Sequence, residues 1–75
     1  MRWRVSVPDY SWALEDEGRL YAGVYMPREG VFEIDVWDYG GHVFETVAKV
    51  DNLEAAKALA QIMVQLRRSE YDAVQ

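Results

Sequence analysis

DNLEAAKALAQIMVQLRR, residues 51–68, is the stretch that decides the fold, because it alone carries a helical pattern. Asp51 is placed to cap it, its carboxylate accepting from free N–H groups of the first turn. Glu54 completes a capping-box-like pair and sits where the helix dipole favours an anion. Val50 is positioned as a hydrophobic staple. Ala55, Ala56, Ala58 and Ala60 are strong helix formers, and neither Gly nor Pro interrupts them. Leu53, Ala56, Leu59, Ala60, Met63 and Leu66 recur at spacings of three and four and share one broad apolar face. Lys57, Gln61, Gln65 and Arg68 fall mostly opposite, and Arg67 and Arg68 complement the dipole at the C-terminal end. Such a helix is marginal alone in water, so its apolar face must dock on something. A membrane surface is disfavoured: the polar face is not strongly basic, and the apolar face lacks aromatic residues. The expected docking partner is a sheet built by the preceding residues. On that basis Leu59→Ala is expected to cost about 2–5 kcal/mol as a core truncation.

The residues before the helix alternate as strands do. Arg2–Val7 puts Trp3, Val5 and Val7 on one side and Arg2, Arg4 and Ser6 on the other, and Pro8 ends the run. Leu20–Met26 puts Leu20, Ala22, Val24 and Met26 inward and Tyr21, Gly23 and Tyr25 outward. Pro27-Arg28-Glu29-Gly30 makes a turn, with Gly30 able to take positive φ. Val31–Trp37 is the clearest strand: Phe32, Ile34 and Val36 inward; Glu33, Asp35 and Trp37 outward. Asp38-Tyr39-Gly40-Gly41 signals a hairpin, and His42–Val50 follows as the last strand. A three-residue loop, Tyr39–Gly41, sets Phe44, Thr46, Ala48 and Val50 on the core side and Asp35 opposite Glu45. Asp9–Gly18, DYSWALEDEG, reads as an irregular connection with a short helical turn and the acidic run Glu15, Asp16, Glu17. Residues 69–75 lack periodicity and read as a frayed tail. The expected fold is a two-layer α+β domain over residues 1–75: a four-stranded antiparallel meander in the order 1-2-3-4, with one C-terminal helix packed on one face.

The totals constrain function mainly by exclusion. The chain has 75 residues, enough for one modest core. It has no cysteine, which removes thiolate chemistry and fits a reducing compartment. No apolar leader opens the sequence and no run approaches membrane-spanning length, so a soluble cytoplasmic protein is expected. Thirteen acidic residues against eight basic give a net charge of −5. That balance opposes non-specific nucleic-acid binding, which depends on Lys and Arg neutralising phosphates. It suits docking on a basic protein surface.

No constellation for catalysis emerges. His42 is the one histidine and sits beside a glycine turn, where a surface role is expected. One His without Cys does not make a typical Cys/His zinc site. Gly40-Gly41 precedes a strand rather than a helix, so it is not a phosphate loop. No cofactor, metal or enzymatic activity is expected. The remaining asset is aromatic area: three Trp and five Tyr in a small chain. The expected partner-binding residues are Tyr21, Tyr25, Glu33, Asp35, Trp37 and Glu45 on the outer sheet face, with Glu15, Asp16 and Glu17 beside them. The function expected is a non-catalytic protein-binding module, monomer or homodimer, that inhibits or assists a nucleic-acid-handling target. In size, acidity and lack of a catalytic signature the chain resembles, in character rather than in motif, phage-encoded inhibitors such as anti-CRISPR proteins. Two alternatives stand beside it. One is a sheet that stacks bases on its aromatics, with Arg2, Arg4, Arg67 and Arg68 on phosphates. The other is an oligomerising antitoxin-like protein.

Overall fold

The computed structural model describes residues 1–38 and 43–73, so the hairpin tip with Gly40, Gly41 and His42, and Val74 in the tail, lie outside the described residues. The chain forms β1 (Arg2–Val7), β2 (Ser11–Asp16), β3 (Arg19–Arg28), β4 (Val31–Asp38), β5 (Val43–Val50) and α1 (Leu53–Ala73). The strands make one antiparallel sheet in the order β1-β2-β3-β4-β5, and α1 packs on one face. The two-layer α+β meander is as the sequence implies, with five strands rather than four.

The extra strand is β2, from the stretch expected to be irregular. Its alternation is regular: Trp12 and Leu14 face the helix, and Ser11, Ala13 and Glu15 face away. The turns on either side explain why the signal was weak, since both use non-glycine residues in left-handed backbone. Val7-Pro8-Asp9-Tyr10 is closed by the Tyr10 N–H donating to Val7 O at 3.0 Å, with Asp9 at φ 57°. Pro fixes the first central position and positive φ at the second gives a type II geometry. Asp16-Glu17-Gly18-Arg19 has both central residues at positive φ, 52° and 77°, as a tight hairpin turn requires. Gly30 likewise adopts φ 79° in the next turn.

Leu14, Val24, Ile34, Val36 and Val64 are fully buried, with Ala22, Ala56 and Ala60 where the helix approaches β3 and β4. Each large side chain contributes roughly 1.5–3 kcal/mol. Trp3, Trp12 and Phe32 close the edges of this core; the Trp12 and Phe32 rings lie 6.0 Å apart.

Several local expectations are corrected. The N-cap is Asn52, not Asp51: its Oδ1 accepts from the Ala55 N–H at 2.9 Å. The buried stripe includes Val64, while Leu66 is 52 % exposed and Leu59 only half-buried. The run Ile62-Met63-Val64 offers apolar residues at three successive phases, so spacing alone does not choose the face. The helix also continues through Ser69, Glu70 and Tyr71 to Ala73.

Register shifts at β-bulges move side chains between faces. In β1 the shift falls between Val5–Trp12 and Val7–Ser11, so Val7 lies with Ser11 on the face away from the helix rather than with Trp3 and Val5 as expected. In β3 the register against β2 shifts between the Leu14–Ala22 and Glu15–Leu20 pairs, adding Tyr21 beside Ala22. Tyr21 therefore packs against the core and under Arg68, and Leu20 turns outward. In β5 the shift falls between Ile34–Ala48 and Asp35–Thr46, adding Val47 to the core side. Asp35 consequently opposes Thr46, not Glu45. Phe44 joins Trp37 on the outer face, and Glu45 pairs beside Val36 on the helix side. The bulge reconciles both demands of this hairpin: Ala48 and Val50 stay on the core side, and the repulsive Asp35–Glu45 pair is avoided.

Candidate functional site: the uncovered face of the sheet

The helix covers one face of the sheet and the opposite face is solvated. Opposed residues of an antiparallel pair share a face, so the registers map this surface as three rows. Across one end run Val7, Ser11, Tyr25, Glu33 and Lys49. Across the middle run Arg4, Ala13, Gly23, Asp35 and Thr46. At the other end Arg2, Glu15 and Leu20 line up on β1 to β3, and Trp37 and Phe44 on β4 and β5.

The end rows are aromatic. Tyr10 leans on Tyr25 with ring centroids 6.4 Å apart, and Trp37 packs on Phe44 at 5.2 Å with a tilted geometry. Such pairs contribute about 0.5–1.5 kcal/mol beyond area burial. Tyr10, Leu20 and Phe44 nonetheless remain more than 40 % exposed. Between the rows the surface drops to Gly23, beside Ala13, which is itself buried at 5 % exposure. The bulge at Tyr21 widens this gap, since β3 presents nothing outward between Gly23 and Leu20.

Most charges on this face are compensated. Arg4 Nε donates to Glu15 at 2.7 Å. Glu33 receives the Tyr25 hydroxyl and lies 3.1 Å from Lys49 Nζ. The Tyr25 bond holds the Glu33 carboxyl below its ordinary value, with Lys49 adding to the effect. The same bond, with desolvation and the neighbouring carboxylates, pushes the Tyr25 phenol up to about 12. Asp35 differs: its Oδ1 accepts from Thr46 Oγ1 at 2.6 Å, and among the described residues no cation pairs with it.

The expected binding residues divide accordingly. Glu15, Tyr25, Glu33, Asp35 and Trp37 lie together on the open face. Tyr21 and Glu45 do not: the bulges turn them to the helix side, where Arg68 lies over the Tyr21 ring at 5.3 Å and Arg67 pairs with Glu45 at 3.0 Å. Asp16 also lies on that side, 3.7 Å from Arg68. Glu17 is exposed in the β2–β3 turn. Sequence reasoning missed Tyr10, Leu20 and Phe44. Phe44 needed the register of the last hairpin, and Leu20 needed the bulge, neither of which periodicity encodes.

Among the described residues no cluster of three or more His, Asp or Glu side chains has metal-binding geometry. No helix of the described residues is long and apolar enough to cross a membrane. No protein family, curated protein or solved structure matches the chain.

Proposed function

We propose that this protein is a non-catalytic binding module that docks through the open face of its sheet onto a basic protein surface. In this reading it acts as an inhibitor or accessory of a nucleic-acid-handling target, in the manner of small phage inhibitors. The observation that carries the reading is the open face itself: the exposed Tyr10, Leu20 and Phe44 surround the side-chain-free Gly23, opposite the face that the core consumes. Interfaces favour such rigid rings at a shape-complementary centre. The net charge of −5 favours a cationic partner through long-range attraction.

Direct nucleic-acid binding is less well supported. Arg4 is paired with Glu15, and Arg67 and Arg68 sit on the helix side, engaged by Glu45 and Asp16. Of the four cations expected to hold phosphates, Arg2 and Arg4 lie on the open face, Arg4 already paired, while Arg67 and Arg68 lie on the other, so the set is divided between the two faces.

The test is capture of partners from target-cell extract by immobilised protein, comparing wild type with Trp37→Ala and Asp35→Lys. Both variants should keep the wild-type circular dichroism spectrum and lose the captured partner. Tight binding of the purified protein to bare DNA or RNA at low salt, or capture unchanged in both variants, would defeat the proposal. A stable dimer that buries Trp37 in sedimentation experiments would instead favour the oligomerising alternative.

A further inference from the structure

We infer that the trough over Gly23 is a receptor for one arginine side chain of the partner, with Asp35 as its counter-ion; this rests on the docking reading above. Gly23 is the starting point. It lies in the middle strand of the sheet, where glycine weakens a strand. The backbone does not demand it. Gly23 is absent from the positive-φ positions, and an added Cβ would meet only the Trp12 carbonyl oxygen at 3.7 Å, an ordinary contact. What glycine does at this position is leave the floor bare. Glycine is favoured where another molecule approaches the backbone closely.

The walls define what fits. Asp35 is directly opposite Gly23 on β4. Tyr25 stands two residues along β3 from Gly23, and Trp37 two residues along β4 from Asp35, in opposite directions. At about 3.3 Å rise per residue, each ring is rooted roughly 7 Å along its strand from the centre. A side chain entering between them meets a carboxylate laterally and an aromatic group at either end. A guanidinium matches this set: it is planar, stacks on aromatic faces and bonds a carboxylate with a fixed fork. Charge complementarity is local as well as global. Glu15 and Glu33 already hold Arg4 and Lys49, whereas Asp35 is oriented by a neutral hydroxyl and keeps its charge for an incoming cation. Thr46 thus acts as a positioning residue, holding the carboxylate by its Oδ1.

The experiment is an NMR titration of the full chain with the amidated peptide Gly-Arg-Gly and with its citrulline counterpart, which keeps the shape without the charge. The arginine peptide should move the Gly23 amide and Trp37 indole resonances saturably, and the citrulline peptide should bind at least about tenfold more weakly, the equivalent of one charge-assisted bond. Gly23→Val should abolish the response, and Asp35→Asn, which still accepts from Thr46, should weaken it by a similar factor. Equal response to both peptides, shifts spread over all surface carboxylates, or unaltered binding by both variants would overturn the inference. The docking reading fails separately. If Trp37→Ala loses a captured partner that Asp35→Asn retains, the face binds protein without this arginine. If neither variant affects capture, the face itself is not the interface.

Discussion

Replacing Gly23 by alanine should make this protein more stable. Glycine in a strand interior costs about 0.5–1 kcal/mol relative to alanine, because the unfolded chain loses more freedom on folding. That gain is realised only where the new methyl group meets neither strain nor clash. Here it stands 3.7 Å from the nearest atom, the Trp12 carbonyl oxygen, and the backbone is outside the left-handed region. The full increment is therefore expected. For a 75-residue domain it corresponds to a rise in melting temperature of roughly 2–8 °C. Urea unfolding should show a higher midpoint at unchanged slope, because the surface exposed on unfolding barely changes. Thermal and urea denaturation of both proteins, followed by circular dichroism, measure this directly. A loss of stability of similar size would refute the reasoning: it would mean that the middle of β3 approaches some group more closely than the geometry allows, and that glycine is there for packing. A gain in stability together with a loss of partner binding is the pattern expected of a residue retained for function.

Ile34→Ala should cost about 2–5 kcal/mol, since Ile34 is fully buried, whereas Leu66→Ala should stay within about 0.5 kcal/mol of wild type; urea midpoints of the two variants compare them. Asn52→Ala should destabilise by about 1 kcal/mol through loss of the cap on Ala55, while Asp51→Ala should cost much less, again read by urea unfolding. Tyr25→Phe tests the Tyr25–Glu33 bond by pH. The Glu33 carboxyl is held below its ordinary value, so its contribution is present above that value and fades as pH falls through the lowered one. The Tyr25 phenol is raised from 10.0 to about 12, so its contribution is present below 10.0 and is lost as pH rises through about 12. Ultraviolet titration should lose the late-ionising Tyr25 phenol in Tyr25→Phe, and carboxyl NMR should show Glu33 moving back towards its ordinary value in the variant.

The sequence by itself determined the layers. Apolar residues at helical spacing from Leu53 to Met63 and at strand spacing in Val31–Trp37 reflect local geometry: a side chain's direction follows from its own position in a helix or strand. That periodicity was enough to set Ile34 and Val36 under the helix and Asp35 and Trp37 on the opposite face of the sheet. It also placed Tyr25 and Glu33 on the same surface. Tertiary structure alone decided the register and the bulges, because these depend on which strand lies alongside. One added residue at Tyr21 and one at Val47 reverse the facing of everything up to the next turn. Those two insertions carried Tyr21 and Glu45 away from the candidate site and brought Leu20 and Phe44 into it. They also left the strip beside Gly23 bare, a gap that no pattern within a single strand specifies, since its walls come from two neighbouring strands.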